Sequence, residues 1–123
     1  MGQTFRELTV WKRAMELTLA VYRLSQEFPR EEQFGLTSQI RRAVVSIPSN
    51  IAEGQGRTSK GEFRQFLGVA RGSNCEVRTQ LEIARALNFG RTERIGEAEA
   101  LSEEVRKMLF GLLESLKPPR PRN

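Results

Sequence analysis

With 123 residues, of which 38% are hydrophobic and 28% charged, the chain has the composition of one soluble globular domain. It holds no histidine, which removes Ser-His and Cys-His nucleophile pairs, histidine general bases and the commonest metal ligand. The net charge of +5 is uneven: residues 1–35 are neutral, 36–80 carry +4, 81–116 carry −2 and 117–123 add +3. A basic middle and end are compatible with an anionic partner such as RNA or DNA. Cys75 is the single cysteine and has no internal disulfide partner, which fits a reducing cytoplasm. The start MGQTFRELTV has no apolar segment after a basic one, so no signal peptide is expected. No apolar run approaches the roughly 20 residues of a membrane span.

Helical periodicity predicts an all-α domain over 1–116, with helices at about 5–25, 37–57, 59–88 and 92–116, followed by a basic, disordered tail over 117–123. The first helix is expected to start after a Thr4 cap and stop before Pro29 and Gly35. It carries two apolar stripes. Leu8, Trp11, Met15, Thr18 and Tyr22 read as the core face, and Val10, Leu17, Val21 and Leu24 as a second face suited to a subunit interface. The alternative is that this helix is simply the most buried of the four.

The second helix, capped by Thr37 or Ser38, places Ile40, Val44, Ile47 and Ile51 on one line. A polar row, Gln39, Arg42, Ser46, Asn50, Glu53 and Arg57, runs about 120° away around the same helix. Pro48 sits inside this pattern. Because the apolar period continues in phase from Val44 to Ile51, the spacing predicts a kinked helix and not a loop. The proline leaves the Val44 carbonyl to be satisfied by a nearby serine or a cross-helix donor. Ser46 has no histidine to activate it, and Lys60 is too distant for a Ser-Lys pair. GQGRTSKGE lacks both the phosphate-loop register and a preceding strand.

In the third helix, Ser59 and Glu62 form a capping box, and Asn88 and Gly90 supply the stop. Phe63, Phe66, Leu67, Ala70, Val77, Leu81 and Ala84 share the core line, with polar Asn74 among them. Arg64, Arg71, Arg78 and Arg85 recur every seven residues, with Lys60 near the same line. That row reads either as a track for backbone phosphates or as a salt-bridged flank in which Glu82 answers Arg78 and Arg85. No aromatic residue interleaves it, so base stacking is not indicated. The fourth helix opens at Thr92 and Glu93 and aligns Ile95, Ala98, Leu101, Val105, Met108, Leu112 and Leu116. Short connections between amphipathic helices predict an antiparallel up-down four-helix bundle.

GLTSQIRRA, SIPSNIAEG followed by Gly56 and Arg57, and FLGVARGS with Glu76 carry a resemblance that extends over residues 4–113. The chain resembles the four-helix-bundle proteins encoded in intervening sequences of bacterial large-subunit (23S) rRNA genes. The resemblance implies a homopentameric ring with no established enzymatic activity; no cofactor or metal is expected. A related accessory protein of diversity-generating retroelements binds nucleic acid and a reverse transcriptase through a basic surface. The matching signature positions are Arg42, Ser46, Asn50, Glu53, Arg57, Arg71, Ser73 and Glu76, and they are signature residues without assigned catalytic roles. Such bundles are expected to carry an apolar residue at Asn74, so its polarity puts the local packing in question.

The reading that follows is a non-enzymatic oligomer that contacts RNA or DNA through Lys60, Arg64, Arg71, Arg78 and Arg85. The alternative is an oligomeric scaffold acting through protein contacts, with no membrane association. An enzyme using Glu53 or Glu76 as a base is the weakest of the three.

Overall fold

Three- and four-residue apolar steps drive four segments into helices that must share their faces. The computed structural model describes residues 4–119. Among them it has α1 (Thr9–Ser25), α2 (Leu36–Gln55), α3 (Lys60–Ala86) and α4 (Thr92–Ser115), two single 3-10 turns (Phe5–Glu7 and Arg30–Glu32) and no strand. Each helix packs against two others: α1 against α2 and α4, and α3 against α2 and α4. None of them is long and apolar enough to cross a membrane.

The helix ends show which local signals prevailed. α1 begins at Thr9 and not near residue 5, because Leu8 is extended (φ −72°, ψ 125°). Thr4 caps only the preceding 3-10 turn and makes no side-chain hydrogen bond. That turn sets the Phe5 ring edge-on to Trp11, 5.2 Å between centroids. α2 begins at Leu36, whose N–H donates to Glu32 Oε1 at 2.9 Å. Glu32 thus does what Thr37 or Ser38 was expected to do.

Ser59 caps α3 as expected: its Oγ accepts the Glu62 N–H at 3.1 Å and lies 3.2 Å from Glu62 Oε1. α3 ends in a Schellman motif, with Asn88 at φ +59°, its N–H on Arg85 O, and the Phe89 N–H on Ala84 O. Gly90 follows at φ +78°, where a Cβ would meet Leu24 Cδ1 at 2.6 Å. Lys117–Pro119 continue beyond α4 without helix, and residues 120–123 of the expected tail lie outside the described residues.

The two faces of α1 are exchanged relative to the expectation. Val10, Leu17, Val21 and Leu24 are buried within the chain's own core, together with Ala14 and Ala20. They cannot serve as a subunit interface, because no partner can reach them. Branched aliphatic residues and alanines fill the space between closely packed helices, whereas the bulky and polar-tipped residues sit at its margin. Trp11 is half-buried beside Phe5, and Tyr22 lies near the surface beneath the Arg41 guanidinium, 4.7 Å from its ring centroid. The face read as core is therefore the rim, except for Thr18.

Thr18 explains Pro48. The proline lies inside α2 and lacks the N–H that would bond the Val44 carbonyl. The Thr18 hydroxyl, held by Ala14 O at 2.8 Å, also points at Val44 O at 3.4 Å. This is the cross-helix donor expected from the sequence. Ser49 Oγ donates to Val45 O at 2.8 Å, supporting the next carbonyl.

Asn74 is 2% exposed and satisfied. Its Nδ2 donates to Ser102 O at 3.1 Å, and Ser102 Oγ donates to its Oδ1 at 2.8 Å. The packing question raised by its polarity is answered by a reciprocal pair linking α3 to α4.

Candidate functional site

The polar row of α2 faces α3, and the two helices meet through it. Ser46 Oγ and Ser73 Oγ lie 2.8 Å apart, and Asn50 Nδ2 donates to Ser46 O and Ser46 Oγ at 2.8 and 2.9 Å. Further along the seam, Gly54 lets the helices approach so closely that a Cβ would stand 2.7 Å from Phe66 Cβ. Arg57 closes that end, 2.6 Å from Glu53 Oε1 and with its guanidinium 4.8 Å from the Phe66 ring centroid. Ser46, Asn50, Glu53, Arg57 and Ser73 are thus brought together as one ladder of contacts. With Ser46 engaged by a serine and an amide, no base adjoins it.

Where α2 begins, the same seam opens into a groove of about 540 Å³ lined by Phe34, Arg42, Ser46, Ser73, Glu76 and Gln80. Arg42 and Glu76 are signature positions and both are exposed. Phe34 and Gln80 did not emerge from the sequence. Gln80 follows Ser73 and Glu76 at steps of three and four, so periodicity carried a signal for it. Phe34 lies in an irregular connection, where no period operates.

The basic row of α3 divides. Arg78 reaches Glu103 Oε2 at 3.5 Å, and Arg85 is bound to Glu99. Both acids come from α4 and not from Glu82. Arg106 and Arg78 draw the Glu103 carboxyl below its ordinary range, with the Arg106 hydrogen bond the larger cause. Glu99 raises the Arg85 guanidinium, mainly by its hydrogen bond. This half of the row is therefore the salt-bridged flank. In the other half, Arg64 Nε donates to Leu113 O at 3.3 Å, while Lys60 and Arg71 are exposed. Lys60 and Arg64 line a cavity of about 520 Å³ together with Lys117, Pro118 and Pro119, a grouping of α3's start with α4's end that the sequence did not reveal.

At the opposite turn, Glu27 Oε1 accepts the Arg91 N–H at 2.8 Å and Glu27 Oε2 binds Arg91 and Arg94 at 3.1 and 3.2 Å. The Arg91 backbone bond is the main reason its carboxyl lies below the ordinary range. Among the described residues no group of three or more His, Cys, Asp or Glu side chains could hold a metal ion.

Four helices around one aliphatic core, joined by a serine-asparagine seam and bearing no clustered catalytic groups among the described residues, define a small helical-bundle protein. Residues 6–111 match the family of 23S rRNA-intervening sequence proteins, and the chain belongs to that family. The fold is shared with a crystal structure, at 1.70 Å, of a protein of unknown function from the S23 ribosomal protein family of Bacteroides thetaiotaomicron. The two are 22% identical with a TM-score of 0.79, covering 86% of this chain and 99% of the other. No curated protein matches the chain.

Proposed function

We propose that the protein is a non-enzymatic, cytoplasmic oligomer of up-down four-helix bundles, a homopentameric ring, that binds RNA or DNA through backbone phosphates. The up-down topology is supported by the residues that meet: Ser46 with Ser73, but Arg57, later in α2, with Phe66, earlier in α3. Likewise Arg64 meets Leu113, and Arg85 meets Glu99.

The observation that carries nucleic-acid binding is the cavity shared by Lys60, Arg64 and Lys117. The positive end of the α3 dipole adds to these cations, and Arg120 and Arg122 follow in the sequence. Contact is therefore weighted to Lys60 and Arg64, which make no ion pair among the described residues, whereas Lys117 is paired with Glu114 and Arg78 and Arg85 with acids of α4. A binding assay with single-stranded RNA and duplex DNA at low ionic strength tests this. Lys60→Ala with Arg64→Ala is expected to weaken binding severalfold more than Arg78→Ala with Arg85→Ala. Equal losses in the two double variants contradict the assignment.

A scaffold acting through protein contacts is favoured by a different observation, the open groove at Arg42 and Glu76. Oligomerisation accommodates both readings, since the groove and the Lys60 cavity lie on different flanks of α3.

A further inference from the structure

The α2–α3 groove is lined by polar groups that have no partner among the described residues. Gln80 is 7% exposed, yet its Oε1 has no donor, and a buried amide oxygen left unpaired is costly. Arg42 and Glu76 line the same groove, and neither side chain is paired among the described residues. On α3, Val69 and Ile83 stand seven residues to either side of Glu76 and are 50% and 42% exposed. Val69, Ser73, Glu76, Gln80 and Ile83 therefore form a stripe with steps of 4, 3, 4 and 3, the spacing of a helix seam. α2 covers its Ser73 edge and Gln80 is buried, while Val69, Glu76 and Ile83 stay exposed.

The chain carries a matching stripe. On α1, where it borders Glu97, Leu101 and Glu104 of α4, Leu19 is 50% exposed, with Glu16 three residues before it and Arg23 four after. Arg23 makes no ion pair among the described residues, and Glu16 stays exposed although it holds Arg13. An acid, a leucine and a base at helical spacing complement a groove that offers a base, apolar flanks and an acid. A polynucleotide is the poorer occupant, because Glu76 repels phosphate.

We propose that the groove receives α1 of a second copy of this chain, with Leu19 against the exposed Val69 and Ile83 side of α3, Arg23 on Glu76, and Glu16 on Arg42. This rests on the oligomeric reading above and names its surfaces. Because the two surfaces differ, the contact is head-to-tail and repeats from copy to copy, closing into a ring when the rotation allows.

Gel filtration with light scattering on the full chain tests the proposal, with circular dichroism and a urea midpoint as controls for folding. The wild type is expected to run as an oligomer. Leu19→Asp, Arg23→Glu and Glu76→Arg are each expected to weaken association at least tenfold. Arg23→Glu combined with Glu76→Arg is expected to restore it, which a mere loss of folding cannot mimic. A wild type that stays monomeric at all concentrations overturns the oligomeric reading itself. An oligomeric wild type whose mass none of the variants changes overturns only these surfaces. Glu76→Arg that raises RNA affinity while leaving the mass unchanged assigns the groove to nucleic acid and overturns the proposal.

Discussion

At the scale of single residues, the Val44 carbonyl stranded by the proline in α2 faces the Thr18 hydroxyl of α1, whose one proton it shares with Ala14 O, the closer acceptor. Thr18→Val keeps the shape and removes the donor, so it is expected to cost about 1 kcal/mol in urea unfolding. In a Pro48→Ala background, where residue 48 regains its N–H, the same substitution is expected to cost much less. Additive costs in that double-mutant cycle contradict the link. The in-phase isoleucines made the kink legible in the sequence, along with the need for a donor. Its identity was not, because Thr18 is distant in sequence and had been placed on a face by its period alone.

At the scale of elements, α1 shows the limit of periodicity. Both stripes repeat at helical spacing, and the period alone does not say that Val10, Leu17, Val21 and Leu24 are the ones inside. Packing decides it, since a seam between close helices takes aliphatic side chains with alanines between them. Leu17→Ala is therefore expected to destabilise the fold by about 2–5 kcal/mol, as core truncations do. A urea midpoint indistinguishable from wild type contradicts its burial. The caps were legible where signal and partner are neighbours in sequence, as with Ser59 and Glu62, and illegible where the partner is remote.

Glu27, which holds the start of α4, is such a remote partner. Its folded carboxyl is depressed, so its stabilisation is present above the ordinary carboxylate value of about 4.3 and lost as pH falls through the lower folded value. Glu27→Gln is thus expected to lower the urea midpoint at neutral pH and to approach wild type as the solution is acidified. A gap that widens in acid reverses that sign.

At the scale of the whole molecule, the bundle and its family were legible because four amphipathic periods and three signature segments span most of the chain. The division of the basic row was not. Every seventh residue of α3 is arginine, but only the fold sets Glu99 and Glu103 of α4 against the later two and Lys117 beside the earlier part. The groove was half visible, through Arg42, Ser46, Ser73 and Glu76, while Phe34 and Gln80 needed the tertiary structure.

The central claim is that nucleic acid binds through phosphates at the Lys60 and Arg64 end, and a salt titration of single-stranded RNA binding tests it most directly. Log affinity is expected to fall linearly with log salt concentration for the wild type. Each lost phosphate contact makes the slope shallower by about 0.7, so Lys60→Ala with Arg64→Ala should flatten it by about 1.4. Absence of binding at low salt, or a slope that the double substitution leaves unchanged, contradicts the account.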